Sequence, residues 1–167
     1  PYPISFAVNP SDPYAAEKMA RPRKAGFEVL ALADLPEAAS AQDAEVSLSV
    51  WLDTLPETVG ILEGVNSGIQ GNRKLADQVA AIAAGTGRGL ITQDNGLNTV
   101  QKLAARNGIP SSVVFRDIDG ARQDPKIMRR FLDQAAFRAG QEGTVVMLGR
   151  VRPETISALL LWGLEDR

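Results

Sequence analysis

A short apolar run followed by an amphipathic stretch recurs about six times along this chain. Several of the apolar runs are rich in Val, Ile and Phe, as buried strands are. They predict strands at Ile4–Val8, Phe27–Leu32, Thr58–Leu62, Gly89–Gln93, Ser111–Phe115 and Thr144–Leu148. Strands that alternate with helical segments are typical of a parallel sheet. The sequence therefore predicts a parallel α/β fold, and we interpret residues 1–167 as a single domain.

The amphipathic stretches predict helices between these strands. The predicted helices run from Ser11-Asp12 toward Lys24, over Leu48–Leu55, from Arg73 to Ala84, around Val100–Ala104, from Asp124-Pro125 onward as the longest helix, and from Pro153 onward. Pro22 is expected to kink or shorten the first helix. In the last helix, the spacing of the apolar residues places Ile156, Leu159, Leu160 and Trp162 on the inward face. Glycines are expected to end helices at Gly26, Gly85, Gly108 and Gly140.

The chain contains neither cysteine nor histidine, and this limits its chemistry. Without cysteine there are no disulfides, thiol nucleophiles or thiolate metal ligands. Without histidine the commonest general base and the commonest transition-metal ligand are missing. A net charge of −2 argues against nucleic-acid binding through a basic face. The apolar stretches are all too short for a membrane span.

Parallel α/β proteins bind ligands at the loops that follow the carboxyl ends of their strands. Planar polar groups suited to sugars or partners fall in these loops, and the candidate binding residues are Glu63, Asn66, Ser67, Asp94, Asn95, Arg116, Asp117, Arg150 and Arg152. The alternative for each residue is a helix cap or a solvated loop position. Trp51 is either an aromatic platform for a sugar or, more simply, a core residue. A carboxylate pair for glycoside hydrolysis could come from Glu63, Asp94, Asp117 or Asp119, but no spacing singles out two of them.

Several segments resemble one known family over nearly the whole chain. The match begins at Pro3–Val8, continues through Gly26–Leu30, and is clearest at Leu148–Thr155, where Leu-Gly-Arg-Val-Arg-Pro-Glu-Thr resembles the family motif Ile-Gly-His-Pro-Arg-Pro-Glu-Thr. The family is the divergent polysaccharide deacetylases. The resemblance implies a distorted parallel (β/α) barrel that removes acetyl groups from N-acetylated sugars with zinc. It also implies that the family's first strand, with its aspartate pair, precedes Pro1.

The chain departs from the family at the positions that would hold the metal. Where the family has Asn-Asn-His-Met-Gly-Ser, this chain has Leu62–Ser67, with Gly64 in place of the histidine. Arg150 replaces the histidine of the later motif, and a third family histidine aligns near Leu32. We therefore expect no metal, no cofactor and no catalytic residue from this chain. One hypothesis is that the Arg150 cation takes over the charge of the metal by pairing with Asp94 or Asp117; the other is that Arg150 is a solvated loop residue.

The resemblance and these departures together suggest a catalytically inactive relative of the deacetylases. It would lie in the periplasm or cell envelope and bind a glycan such as peptidoglycan, or a protein partner, in the former substrate cleft. Any signal peptide or anchor would precede Pro1. One alternative is an active hydrolase whose catalytic residues come partly from a preceding segment. Another is an interaction domain that docks a protein through the exposed part of its last helix.

Overall fold

The computed structural model of the protein describes residues 3–165. Within this range six strands alternate with six α-helices, and each strand pairs with the next one in parallel. This confirms the predicted parallel α/β fold. The chain divides into two compact units, one ending at Val113 and the other beginning at Val114, inside the fifth strand.

The first unit contains four complete strand–helix repeats. Its elements are β1 (Ser5–Val8), α1 (Ala15–Lys24), β2 (Glu28–Ala33), α2 (Ala41–Thr54), β3 (Gly60–Glu63), a 3-10 turn (Ile69–Gly71), α3 (Arg73–Gly85), β4 (Gly89–Thr92), α4 (Thr99–Arg106) and the first part of β5 (Ser111–Asp117). The first five predicted strands are present here, with their ends shifted by at most two residues.

The core of the first unit lies between one face of the sheet and its helices. Val29, Ile61 and Leu90 are at most 1% exposed and pack in one cluster with the helix residues Leu48 and Leu75. Because side chains alternate between the two faces of a strand, the residue two positions after Ile61 faces the same side. That residue is Glu63, so the fold directs a carboxyl group toward the helix layer.

Two helices of the first unit differ from the sequence prediction at their starts. Helix α2 begins well before Leu48, because Ser40 and Asp43 form a capping box in which each backbone N–H donates to the other side chain. Helix α1 begins at Ala15 rather than at Ser11-Asp12, because Asp12 accepts the N–H of Tyr14 in a turn that precedes the helix. Pro22 lies in the last turn of α1, which ends two residues later.

The second unit contains the end of β5, α5 (Pro125–Glu142), β6 (Val146–Leu148) and α6 (Pro153–Glu165). The end of β5 pairs in parallel with β6. Helix α5 is the longest described helix, as predicted, and Asp124 caps it by accepting the N–H of Ile127. Met128, Leu132 and Ala135 form its buried face.

Some predicted details of these helices are wrong. Gly140 does not end α5, which continues to Glu142 and stops where Gly143 takes a positive φ of 93°. By contrast, α3 does end at Gly85, one residue beyond the predicted last residue Ala84. The inward face of α6 consists of Thr155 and Ala158, with Leu159 and Trp162 half-buried. Ile156 and Leu160 are 46% and 58% exposed, contrary to the prediction. None of the helices within residues 3–165 has the length and apolar character needed to span a membrane.

Candidate functional site

In the first unit, Glu63 lies at the centre of a buried polar cluster. Its Oε1 atom accepts hydrogen bonds from Gln70 Nε2 at 2.7 Å and from the backbone N–H of Gln93 at 2.8 Å. Gln70 Nε2 also donates to the carbonyl oxygen of Gln93, and Gln93 Nε2 donates to the carbonyl oxygen of Glu63, both at 2.7 Å. We call Glu63, Gln70 and Gln93 the Glu63 clasp. It ties together the end of β3, the 3-10 turn and the segment that follows β4.

Among the described residues, no cation forms an ion pair with the carboxyl group of the clasp. Glu63 is 1% exposed, and its Oε2 atom has no hydrogen-bond partner among residues 3–165. Burial raises the pKa of Glu63, and the hydrogen bonds from Gln93 and Gln70 offset part of this rise. The buried hydroxyl of Thr92 likewise has no partner in the described range. The surroundings of Glu63 therefore favour the neutral acid more than water does.

The other candidate residues of the first unit are more accessible than Glu63. Asn66, Asp94 and Asn95 are exposed, and Ser67 is half-buried with its hydroxyl accepting the N–H of Ile69. Asp94 accepts a hydrogen bond from Asn98 Nδ2, and the N–H of Asn95 donates to Asn98 Oδ1. These residues can meet a ligand, whereas Glu63 can do so only if the clasp opens.

Gly64, which aligns with a family histidine, lies against Asp34. A Cβ atom at this glycine would come within 2.6 Å of Asp34 Oδ1, which is closer than real Cβ contacts. The N–H of Gly64 donates to the carbonyl oxygen of Ala33 at 2.9 Å. A histidine at this position would require Asp34 to move.

In the second unit, Arg150 joins two aspartates, one that ends β5 and one two residues beyond it. Its Nη1 atom donates to Asp117 Oδ1 at 2.8 Å and to Asp119 Oδ1 at 2.7 Å, and its Nη2 atom donates to Asp117 Oδ2 at 3.1 Å. One nitrogen of the guanidinium group thus lies between two carboxylates. The predicted pairing of Arg150 with Asp117 is confirmed, and the hypothesis of a solvated Arg150 is wrong. Asp94, the other predicted partner, belongs to the first unit and bonds Asn98.

Asp119 is fully buried and receives further donors. Its Oδ2 atom accepts the backbone N–H of Arg150 at 2.7 Å and the hydroxyl of Thr155 at 2.6 Å. Arg152 Nη1 donates to the carbonyl oxygen of Asp119 at 2.7 Å. We call Asp117, Asp119, Arg150 and Thr155 the Arg150 network. It connects the segment after β5 with the start of α6.

The charges of this network stabilise one another. Burial alone would raise the pKa of Asp119, but the hydrogen bonds from Thr155 and Arg150 outweigh it and lower the pKa below the usual range. The Asp117 carboxylate, opposed by partial burial and helped by Asp119, raises the pKa of the Arg150 guanidinium. Both charges are therefore fixed, and neither carboxylate of the network lacks a cation.

Two other predicted contacts belong mainly to packing. The guanidinium of Arg116 lies over the rings of Phe131 and Phe115, at 4.6 and 5.6 Å from their centroids. Trp51 is half-buried against the core of the first unit, as the simpler of its two interpretations predicted.

Arg152 borders a cleft of about 240 Å³ in the second unit, which is lined by Asp119, Arg122, Gln123, Asp124, Pro125, Met128, Arg152, Glu154 and Thr155.

The donor set does not fit the zinc ion of a deacetylase. A catalytic zinc takes three protein ligands, usually including histidine, and this chain has no histidine or cysteine. Within residues 3–165 no group of three acidic side chains is arranged to hold a metal. The carboxylates of Asp117 and Asp119 already share a guanidinium. A permanent cation between them repels a metal ion.

Gln70, Gln93 and Thr155 are not among the predicted binding residues, and Asp119 was predicted only as one of several equivalent acids. For Thr155 a signal was present, since it ends the Arg-Pro-Glu-Thr motif at the start of α6. For Gln70 and Gln93 no signal was present, because an uncharged amide acquires its role only through contacts between distant segments.

Comparisons with known proteins bear on both the fold and the family. The crystal structure of an uncharacterized protein from Agrobacterium tumefaciens C58 is similar, with a TM-score of 0.82, 16% sequence identity and coverage of 98% of this chain and 73% of that chain. At this identity the likeness establishes the fold, and it supports the predicted (β/α) barrel-like class. No curated protein matches the chain. The family model described as divergent polysaccharide deacetylase matches residues 1–166, and the chain therefore belongs to the divergent polysaccharide deacetylase family.

Proposed function

We propose that this chain is a deacetylase-family domain of the cell envelope that has lost hydrolysis and binds a glycan such as peptidoglycan. The observation that carries the proposal is the position of Arg150, whose Nη1 atom lies within 2.8 Å of both the Asp117 and Asp119 carboxylates. Arg150 replaces a histidine of the family motif, so a metal-binding side chain has become a permanent cation.

The loss of the metal removes the chemistry that deacetylation requires. A bound zinc ion lowers the pKa of its water to about 7 and so supplies a nucleophile at neutral pH. A guanidinium group stays protonated and coordinates no water in this way. It does put a positive charge where the metal would lie, because it pairs with both carboxylates and keeps their loop in place.

The remaining polar groups suit the hydroxyl and acetamido groups of a sugar. Asn66, Asp94 and Asn95 are exposed in the first unit, and in the second unit Arg152 borders the cleft together with Gln123 and Glu154. Planar side chains of these types recognise sugars through paired hydrogen bonds. Within each unit these groups follow the carboxyl ends of strands, where α/β proteins bind ligands.

An observation on α6 favours a protein partner as the second candidate. Ile156, Leu160 and Leu164 recur every four residues on one side of this helix and are 46%, 58% and 63% exposed. An apolar stripe of this kind is typical of a helix that packs against another surface. The domain would then dock a protein rather than a sugar, or bind both at once.

The first test is the metal content of the purified chain after zinc loading and desalting. We expect a zinc-to-protein ratio near zero from elemental analysis. A ratio near one would overturn the loss of hydrolysis and favour the active hydrolase, whose deacetylase activity would then be assayed.

A histidine at position 150 sharpens this test. Arg150→His places an imidazole beside Asp117 and Asp119, and we expect the variant to retain more zinc than the parent chain. Arg152→His is the matched control, because Arg152 donates to the backbone carbonyl of Asp119 and not to its carboxylate. Equal zinc retention by the two variants would argue against Arg150 as the replacement for the metal.

Glycan binding is tested by calorimetric titration with soluble peptidoglycan fragments. We expect saturable binding that weakens in Asn66→Ala and Asp94→Ala and persists in Glu57→Ala, which changes an exposed residue before β3. Absence of binding, together with a protein partner whose capture depends on Leu160, would favour the second candidate.

A further inference from the structure

We infer that Glu63 is a positioning residue that, as a neutral acid, holds the loop after β3 and the loop after β4 in one arrangement and releases both when it ionises. The inference rests on the proposed function, since these loops carry Asn66, Asp94 and Asn95. It adds a regulatory feature to that function, because ligand binding at these loops would depend on pH.

The geometry of the clasp couples the two loops directly. Glu63 Oε1 binds the backbone N–H of Gln93 and the side chain of Gln70, and these two residues bind each other through Gln70 Nε2 and the carbonyl oxygen of Gln93. Gln93 precedes Asp94, and Gln70 follows the loop that carries Asn66. Neither loop can shift without breaking a bond to the same carboxyl oxygen.

Glu63 has no counter-charge in this cluster. The charged side chains on the elements around the clasp are Asp34 and Glu37 after β2, Arg73, Lys74 and Asp77 at the start of α3, and Asp94 after β4. None of them shares a hydrogen bond or ion pair with Glu63 in the described range. Arg73 pairs with Asp77, and Asp94 bonds Asn98.

Ionisation of Glu63 would place an unpaired charge in the core. A buried carboxylate without a cation is strongly unfavourable, and it gains stability if the site opens to water. The nearest route is separation of the two loops, since the sheet side of Glu63 is closed by β2 and β4. The closed arrangement therefore requires the proton on Glu63.

The test measures hydrogen exchange of backbone amides by NMR on the full chain at pH 5 and pH 8, corrected for the intrinsic pH dependence of exchange. The readouts are the amide of Gln93, which donates to Glu63, and that of Gly71 in the 3-10 turn, which donates to the carbonyl oxygen of Gly68. We expect protection of both amides to fall about tenfold or more at pH 8, because the ionised carboxyl no longer holds the two loops closed. The amide of Val59, which donates to Val29, should keep its protection.

The matched variants separate charge from shape. Glu63→Gln keeps an acceptor for Gln70 and Gln93 but cannot ionise, so protection of both loops should be the same at pH 5 and pH 8. Glu57→Gln, at an exposed position before β3, should behave as the parent chain does. Equal loss of protection in the parent chain and in Glu63→Gln would overturn the inference.

If Glu63→Gln fails to fold, a measurement on the parent chain alone still tests the inference. The side-chain carboxyl ¹³C shift of Glu63 should report a neutral acid while the two loops are protected. A fully ionised Glu63 with protected loops would overturn the inference. The exchange and carboxyl-shift measurements use no glycan. Absence of glycan binding would therefore count against the proposed function without affecting the inference about the clasp.

Discussion

Glu63 in the first unit and Asp119 in the second unit are both almost completely buried, yet their surroundings favour opposite charge states. Glu63 meets the amide groups of Gln70 and Gln93, and no cation contacts it within residues 3–165. Asp119 meets the Arg150 guanidinium and the Thr155 hydroxyl. At Glu63 the cost of burying the charge outweighs the two amide donors, so the pKa rises, whereas at Asp119 the bonds from Thr155 and Arg150 outweigh that cost, so the pKa falls. Each acid at the end of a strand therefore holds its loop in place by a different means.

The largest expected effect comes from removing the cation of the second unit. Arg150→Ala leaves the buried Asp119 carboxylate unpaired, and we expect the free energy of unfolding to fall by about 2–4 kcal/mol, below the full value for a buried pair because Arg150 is itself one-third exposed. Urea denaturation measures the change.

Arg106→Ala is the matched control for this substitution. Arg106 is an exposed residue in the last turn of α4, so its loss should change stability by less than about 0.5 kcal/mol. Equal destabilisation by the two substitutions would remove the distinction between a paired cation and an ordinary surface arginine.

The pH dependence of stability should separate the two acids. The pKa of Glu63 is raised in the folded state, so its contribution is complete below the unfolded value of about 4.3 and is lost as pH rises through the folded pKa. The pKa of Asp119 is lowered, so its contribution is present above the unfolded value of about 3.9 and is lost as pH falls through the folded pKa. Denaturation curves between pH 2 and pH 9 should show both losses.

Variants with a neutral side chain at position 63 or 119 show which residue causes each pH-dependent loss of stability. Glu63→Gln should remove the loss of stability that accompanies ionisation of Glu63, so the variant should gain stability relative to the parent chain as pH rises. Asp119→Asn should flatten the acid side while lowering stability at neutral pH, because Arg150 loses one of its two carboxylates. If Glu63→Gln and the parent chain lose stability equally as pH rises, Glu63 is not the source of that loss.

The strands and most helices were predictable because hydrophobic periodicity is local. All six predicted strands are present, and Asp124-Pro125 does begin the longest described helix. Helix α2 was underestimated because the capping box of Ser40 and Asp43, itself a local signal, was overlooked. The prediction of which face of α6 points inward was wrong because Thr155, a polar residue, is buried by its bond to Asp119.

The candidate site was predictable in part. The pairing of Arg150 with Asp117 followed from opposite charges in two loops, but nothing in the sequence distinguished Asp119 as the buried partner. Glu63 was expected to face a ligand because the predicted strand ended at Leu62. In the structure β3 continues to Glu63, and alternation with Ile61 turns the side chain into the core. One residue at a strand end thus changed a candidate ligand contact into a structural clasp.

The smallest expected effects concern the two buried threonines near these acids. Thr155→Val removes the hydroxyl that donates to Asp119 Oδ2 at 2.6 Å, and we expect a loss of about 1–2 kcal/mol, as for other hydrogen bonds to charged groups. Thr92→Val removes a buried hydroxyl that has no partner in the described range, so stability should stay the same or rise. The threonine-to-valine substitution should therefore lower stability beside Asp119 and leave it unchanged or raise it beside Glu63. Thermal denaturation at pH 7 compares the two variants directly. A clear loss of stability in Thr92→Val would mean that the Thr92 hydroxyl does bond a group on the neighbouring strand β3. Glu63 lies on that strand, directly after Leu62, which pairs with Ile91. The clasp would then extend to four side chains.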